Sequence, residues 1–165
     1  MATTRTFIAL ELPEHVREAI RRLEGELAPT LSARGVKWVE SHNLHVTLAF
    51  LGDVENQALD GLGQTLQVVA EASPSFRLRA QGLGAFPRPE AARVIWVGLH
   101  GHGLNALERL QAQVSRAVRS AGWPPTDDRF SPHVTIGRTK QQRGPNLASA
   151  VTKYRDWSAG EWPVE

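Results

Sequence analysis

The chain has 165 residues, 41% of them hydrophobic, which is enough for one domain with a sizeable core. Lysine and arginine (19) nearly balance aspartate and glutamate (17), and the formal charge of +2 argues against a protein that coats nucleic acid by bulk electrostatics. The absence of cysteine excludes disulfide scaffolds, thiolate metal sites and cysteine nucleophiles. Glu11 interrupts the apolar start and no stretch approaches the ~20 apolar residues of a membrane span, so we expect a soluble, cytoplasmic protein.

The succession strand, helix, strand is predicted once in each half of the chain. The first half comprises a strand at 5–12, a helix at 14–28, strands at 36–40 and 44–52, and a helix at 59–69. The second half comprises strands at 76–80 and 93–99, a helix at 107–118 and a strand at 130–136. One-sided apolar stripes predict the helices, and short β-branched or aromatic runs predict the strands. Pro29 and Gly35 are predicted to bracket a loop after the first helix.

One short motif recurs at a long and constant distance. The sequence His-Val-Thr at 45–47 returns at 133–135, which is 88 residues later, and 88 residues also separate Arg5 from Arg93. We therefore expect the two halves to align without gaps. Because this period far exceeds that of a solenoid repeat, it predicts a duplicated unit that forms two pseudo-symmetric lobes in a single domain spanning residues 1–165.

Each motif lies in an apolar run that favours a strand. Because side chains in a strand alternate between faces, His45 and Thr47 should point away from Val46. The same rule pairs His133 with Thr135. The apolar face must enter the core of a lobe, so a histidine and a hydroxyl lie side by side on the opposite face. If a two-fold axis relates the lobes, the two pairs meet across a cleft.

Two imidazoles and two hydroxyls that converge on one point suit a phosphodiester. Displacement at phosphorus needs a base on the attacking oxygen and an acid on the leaving oxygen, and an imidazole pKa of about 6.5 lets one ring serve each role near neutrality. The threonine hydroxyls can donate to the non-bridging oxygens, where negative charge accumulates in the transition state. Positive charge is available from residues that flank the motif strands, namely Arg5, Arg129, Arg138 and Lys140.

The paired His-x-Thr motifs, with RTFIALELP and NLHVTLAFLG in the first half, resemble the 2H phosphoesterase superfamily. The more specific resemblance is to its bacterial RNA 2′,3′-cyclic phosphodiesterase branch, also called 2′-5′ RNA ligase or LigT-like, and it runs from about residue 5 to residue 138. It implies a bilobal α+β fold, with antiparallel sheets and flanking helices around a central cleft, and no metal or cofactor. Such proteins usually continue past the region of Trp162 with further strand sequence, so one sheet is expected to lack its last strands.

The resemblance also implies an activity and a set of site residues. Such enzymes open a terminal 2′,3′-cyclic phosphate on RNA to leave a 2′-phosphate, and some join RNA ends through a 2′-5′ linkage. The two lobes are quasi-equivalent, so the residues alone leave open which histidine is the base. The resemblance favours His133 as the base and His45 as the acid when the 3′ bond is cut. The residues that match phosphate-binding positions are Thr47, Thr135, Arg129 and Arg138. We expect a monomer that acts on RNA with 2′,3′-cyclic phosphate ends or on small cyclic nucleotides.

Two other interpretations remain open. A module that binds a nucleotide such as AMP without turnover would use the same cleft, although two proton-transfer groups disfavour it. A metal-dependent phosphoesterase would use His45 and His133 together with His100 and His102, although no carboxylate or thiolate cluster accompanies them. The basic stretch 140–143 is equally compatible with an RNA-binding loop and with a solvated turn.

Overall fold

The computed structural model describes residues 1–165, apart from the side chain of residue 33. The strands are β1 (Thr3–Glu11), β2 (Val36–Trp38), β3 (His45–Glu55), β4 (Phe76–Phe86), β5 (Val94–His100), β6 (His133–Thr139) and β7 (Ser158–Val164). The α-helices are α1 (Glu14–Leu31), α2 (Leu59–Ala72), α3 (Leu104–Ser120) and α4 (Ala148–Lys153). Each predicted strand and helix is present. No helix among the described residues combines the length and the apolar content that crossing a membrane requires.

All seven strands join one antiparallel sheet with the order β1-β3-β6-β5-β4-β7, and β2 pairs with the far end of β6. β3 and β6 meet at a single register pair, Val46 opposite Val134. β1 lies on one side of this junction, and β5, β4 and β7 lie on the other. The molecule is therefore a bilobal α+β protein, as expected, in which β6 pairs with β3 and with β2 and so joins strands from both halves of the chain into one sheet.

Apolar stripes hold the two long helices against the sheet. In α1 the predicted stripe is buried throughout, and Val16 and Ile20 are completely inaccessible. In α3, Leu107 and Val118 are equally inaccessible. Burying such a side chain stabilises the fold by about 1.5–3 kcal/mol, so these stripes fix both helices on the side of the sheet that forms the core.

Pro29 does not end the first helix, contrary to the prediction from the sequence. α1 continues to Leu31, and a 3₁₀ turn leads to Gly35, whose φ of +82° suits glycine. Pro29 lacks an amide hydrogen and so removes one backbone hydrogen bond. Leu27 and Leu31 are nevertheless 6% and 4% exposed, and their burial holds the last turn in place.

Sequence analysis did not identify α4 and β7 near the end of the chain. β7 pairs with β4, and Trp162 lies opposite Leu78 with both side chains buried. Glycine and proline in this segment disfavour a strand. Pro163 is tolerated because β7 is the outermost strand of the sheet, where a missing amide hydrogen costs little.

β4 and β6 differ in extent from the predicted strands. β4 continues to Phe86, and this longer strand pairs with both β5 and β7. β6 begins at His133 rather than at residue 130, because Pro132 cannot donate a hydrogen bond to a neighbouring strand.

Each motif strand contains a β-bulge directly after its motif threonine. Leu48 has no partner residue in the pairing of β3 with β1, and Ile136 has none in the pairing of β6 with β5. These two extra residues are 88 positions apart, like the motifs. A bulge reverses the alternation of side chains that follow it. Phe50 therefore lies on the face of His45, and Arg138 lies on the same face of the sheet.

The gap-free alignment of the two halves is wrong for the strands that flank the motifs. The residues paired with the two motif valines are Leu10 and Val97, which are 87 positions apart rather than 88. A slip of one residue exchanges the two faces of a strand. Phe7, which is 46% exposed, therefore does not correspond to Ile95, which is 1% exposed.

Candidate active site

His45, Thr47, His133 and Thr135 lie together on one face of the sheet. Because the motif valines pair with each other and the strands are antiparallel, His45 neighbours Thr135 and Thr47 neighbours His133. Direct neighbours have Cβ atoms about 4.5–5.5 Å apart, and diagonal neighbours are about 7–8 Å apart. The two histidines occupy one diagonal. One tetrahedral group between them can therefore contact both rings on opposite sides.

The predicted alternation within the motifs is confirmed. Val46 and Val134 are completely buried, whereas the histidine and the threonine of each motif are only partly buried. The two pairs lie side by side on adjacent strands of one sheet, rather than on two walls that face each other as expected. The pairing of β3 with β6 brings them together.

The same hydrogen bond orients both imidazole rings. Nδ1 of His45 lies 2.6 Å from the carbonyl oxygen of Asn43, and Nδ1 of His133 lies 2.6 Å from that of Ser131. A carbonyl oxygen can only accept, so Nδ1 carries the hydrogen in both rings. Nε2 of each ring is therefore the atom that accepts or donates a proton during a reaction. Sequence analysis did not identify these two carbonyl partners.

The two rings differ in what their second nitrogen contacts. Nε2 of His45 lies 3.0 Å from Oγ1 of Thr47. When His45 is neutral, the threonine hydroxyl donates to Nε2. When His45 is protonated, Nε2–H donates to Oγ1, and the hydroxyl hydrogen is released for another acceptor. Protonation of His45 therefore turns the Thr47 hydroxyl into a donor for an anion in the cleft.

Aromatic side chains hold the faces of both rings. Phe7 stacks on His45, with ring centroids 4.8 Å apart and an angle of 30° between the planes. Phe86 meets His133 edge to face, at 5.2 Å and 83°, and the indole of Trp96 lies 6.2 Å away. These contacts limit rotation of the imidazoles. They also exclude water from one side of each ring.

Burial lowers the pKa of His133 below its ordinary value, because removal from water penalises the charged form. The positive charges of Arg138 and His45 lower it further, whereas the hydrogen bond to the Ser131 carbonyl opposes the shift. His133 is therefore mostly neutral at pH 7, with a free electron pair on Nε2.

A cleft of about 630 Å³ opens beside His45. Its lining includes Phe7, Phe50, Arg5 and Arg138. This volume lies in the range of pockets that hold small molecules. Phe50 is 50% exposed, so its ring presents an apolar surface within a cleft that also carries positive charge.

The two arginines predicted to bind phosphate have different surroundings: Arg138 lines the cleft beside His45, and Arg129 is paired with an aspartate. Arg138 reaches the cleft because of the bulge at Ile136. Arg129 lies in the loop before β6, where its side chain is 91% exposed and Nη2 lies 3.2 Å from Oδ2 of Asp127.

The other histidines do not gather around the motif pair. His100 ends β5 opposite Arg79, and His102 lines a separate cavity that shares no residue with the cleft beside His45. Among the described residues, no group of three or more histidine, aspartate or glutamate side chains is arranged to hold a metal ion.

Comparison with known proteins places the chain in a family. The family model described as LigT like Phosphoesterase matches residues 10–96 and again residues 97–165. An RNA 2′,3′-cyclic phosphodiesterase of Archaeoglobus fulgidus is 36% identical over 160 residues, which cover 97% of this chain and 86% of that protein. A protein of the same name from Aquifex aeolicus is 36% identical over 163 residues, covering 98% of this chain and 84% of that protein.

A solved structure shows that the likeness includes the fold. The crystal structure of TT0787 of Thermus thermophilus superposes with a TM-score of 0.75 at 31% sequence identity, covering 98% of this chain and 85% of that chain. The similarity therefore extends over the whole fold rather than over the motif strands alone. The chain belongs to the LigT-like phosphoesterase family.

Proposed function

We propose that the protein hydrolyses 2′,3′-cyclic phosphate ends of RNA to 2′-phosphates, using two histidines and no metal ion. The observation that carries the proposal is the diagonal placement of His45 and His133 on one face, each with Nδ1 bound to a carbonyl and Nε2 left for chemistry. The names of the relatives from Archaeoglobus fulgidus and Aquifex aeolicus support the same substrate class.

His133 acts as the general base. Because burial lowers its pKa, the ring is neutral near pH 7, and Nε2 can take a proton from a water molecule. The oxygen of that water attacks phosphorus as the proton moves to His133. Once protonated, the His133 ring carries a positive charge close to the phosphate. This charge stabilises the negative charge on the phosphate oxygens.

His45 acts as the general acid. It carries a proton on Nε2 and transfers it to the 3′ oxygen of the ribose as the bond from phosphorus to that oxygen breaks. The products are a 3′-hydroxyl and a 2′-phosphate monoester. His133 has then gained the proton that His45 has lost, and exchange with solvent restores both rings.

Thr47, Thr135 and Arg138 bind the phosphate. The hydroxyl hydrogen of Thr47 is free to donate while His45 is protonated, which is the state that the acid requires. Arg138 supplies a fixed positive charge for the negative charge that develops on the non-bridging oxygens. The proposal assigns no role to Arg129, which is paired with Asp127.

The same geometry accommodates ligation. If a 5′-hydroxyl of a second strand replaces water, His133 takes its proton and His45 again protonates the departing 3′ oxygen. The product is a 2′-5′ phosphodiester. Hydrolysis and 2′-5′ ligation therefore differ only in which nucleophile occupies the position next to His133.

The test is hydrolysis of an oligoribonucleotide that ends in a 2′,3′-cyclic phosphate, in excess EDTA. We expect wild-type protein to yield the 2′-phosphate at an undiminished rate and His45→Ala to yield almost none. Loss of activity on chelation would favour a metal-dependent reaction. Tight binding of AMP without turnover of any cyclic phosphate would favour a nucleotide-binding module.

We also propose that the single domain arose by duplication of one unit. The family model matches each half of the chain, and both motif strands carry a bulge after the threonine, 88 positions apart. This origin explains why acid and base are the same residue type in equivalent positions.

A further inference from the structure

Lys37 and Arg138 form a pair of like charges directly across two strands. The register of β2 with β6 places them opposite each other, so their Cβ atoms are about 4.5–5.5 Å apart. Both side chains are exposed, and in the chain as described neither forms an ion pair with an acidic residue. Like charges in this position destabilise a sheet. An anion bound between them would remove the repulsion.

A groove of about 850 Å³ contains this pair and shares Arg138 with the cleft beside His45. One wall is β2 with the segment that follows it, and the other is the end of β6 with Lys140. Asn43 also lines the groove, and its carbonyl oxygen is the partner of the His45 ring. The groove therefore adjoins the acid of the proposed reaction.

The balance of charge in the groove favours an anion. Its cationic side chains are Lys37, Arg138 and Lys140. The acidic side chain that lines it is Glu40, whose Oε2 lies 3.6 Å from Nδ1 of His42. Three positive charges against one negative charge, in a groove that extends from the site, match the spaced phosphates of a nucleic acid strand.

We propose that Lys37 binds the phosphodiester on the 5′ side of the terminal nucleotide, so that the enzyme prefers an RNA strand to a nucleoside 2′,3′-cyclic phosphate. This inference rests on the proposed function. Arg138 lines both the cleft beside His45 and the groove, and it therefore lies between the terminal cyclic phosphate and the next phosphate. Lys140 extends the positive charge further along the same groove.

The experiment compares Lys37→Ala with wild type on two substrates, adenosine 2′,3′-cyclic phosphate and the dinucleotide ApA with a 2′,3′-cyclic phosphate end. We expect kcat/KM for the dinucleotide to fall about ten-fold more than kcat/KM for the mononucleotide, mainly through KM. Lys153→Ala is the matched control, since it removes a lysine on α4 that does not line the groove. Lys153→Ala should change the ratio of kcat/KM for the dinucleotide to kcat/KM for the mononucleotide less than two-fold.

A third substrate separates the effect of charge on Lys37 from other effects of the variant. For a dinucleotide whose internal linkage is a neutral methylphosphonate, kcat/KM of the wild-type protein should be about ten-fold lower than for the charged dinucleotide. Lys37→Ala should not lower kcat/KM for this neutral substrate further relative to the mononucleotide. Equal losses on mononucleotide and dinucleotide would overturn the inference, because Lys37 would then act on the reacting phosphate or on folding. Absence of turnover by wild type on both substrates would instead refute the proposed function.

Discussion

Val46 and Val134 lie directly opposite each other where β3 meets β6, and both are completely buried. The pair joins the two lobes at the point where their motifs overlap. Because side chains alternate along a strand, burial of these valines brings the neighbouring histidines and threonines together on the other face. The geometry of the proposed acid and base therefore depends on the core that lies beneath them.

Replacement of either motif histidine should abolish most of the activity. We expect His45→Ala and His133→Ala each to lower kcat for the cyclic-phosphate dinucleotide by about 10²–10⁴-fold, the usual contribution of a general acid or base. His42→Ala is the control, because that side chain is 71% exposed. Thermal unfolding should show that all three variants fold. Retention of half of the wild-type rate by either motif variant would exclude the mechanism.

The two arginines near the second motif should behave differently. Arg138→Gln should lower kcat/KM by about 10²-fold, because it removes a positive charge that stabilises the transition state. Arg129→Gln should change it less than two-fold, because that side chain is 91% exposed and paired with Asp127. The test is to measure steady-state kinetics of both variants on the cyclic-phosphate dinucleotide. A larger effect at Arg129 would contradict the placement that the structure gives.

The acid limb of the pH profile should reflect His133. Burial, and then the charges of Arg138 and His45, lower its pKa below the ordinary value of 6.5. The base must be neutral, so on this limb kcat/KM should rise with pH through a midpoint below 6.5. Arg138→Gln removes one of the positive charges and should move the midpoint to higher pH. Arg129→Gln should leave it in place, and a shift to lower pH in Arg138→Gln would be inconsistent with this assignment.

Glu24 should make the stability of the fold dependent on pH. Its side chain lies in the buried stripe of α1, 9% exposed, and burial raises its pKa from 4.5 to about 7, partly offset by Arg21. Between these two values the folded state holds a proton that the unfolded state releases, so the free energy of unfolding falls as the pH rises. Glu24→Gln should remove this dependence.

The size of that effect can be measured by urea denaturation at pH 5 and pH 8. At pH 8, Glu24→Gln should raise the free energy of unfolding by on the order of 2 kcal/mol relative to wild type. Glu71→Gln, at an exposed position of α2, is the control and should not change the pH dependence. Equal stability of Glu24→Gln and wild type at pH 8 would show that the buried carboxyl group carries no such cost.

A methyl group at position 84 should disturb the wall of the active site. A Cβ on Gly84 would overlap the indole of Trp96, which lies 6.2 Å from the ring of His133. We expect Gly84→Ala to lower the free energy of unfolding by about 1–3 kcal/mol and to reduce kcat as the indole moves.

Gly25→Ala provides the matched control. Nothing lies within 4 Å of a Cβ at this position in the interior of α1. The substitution should therefore stabilise the protein by about 0.5–1 kcal/mol, because glycine is a poor helix former. Chemical denaturation of both variants tests the pair, and equal effects at the two positions would contradict the close packing of Trp96 on Gly84.

Local patterns in the sequence determined much of this protein. The apolar stripe of α1, the short apolar runs of the motif strands and the alternation of His45 and Thr47 against Val46 all depend on neighbours within one element. Secondary-structure periodicity therefore reveals them. The recurrence after 88 residues also indicated two related halves, because a repeated motif needs no knowledge of the fold.

Tertiary structure alone decided which further residues reach the site. Strict alternation would place Arg138 on the buried face with Val134, and only the bulge at Ile136 turns it toward the cleft. β2 pairs with β6 rather than with β3, although β3 is next in the chain, and this pairing sets Lys37 beside Arg138. Such registers result from packing between distant segments, whose energies depend on many residues at once and leave no periodic pattern in the sequence.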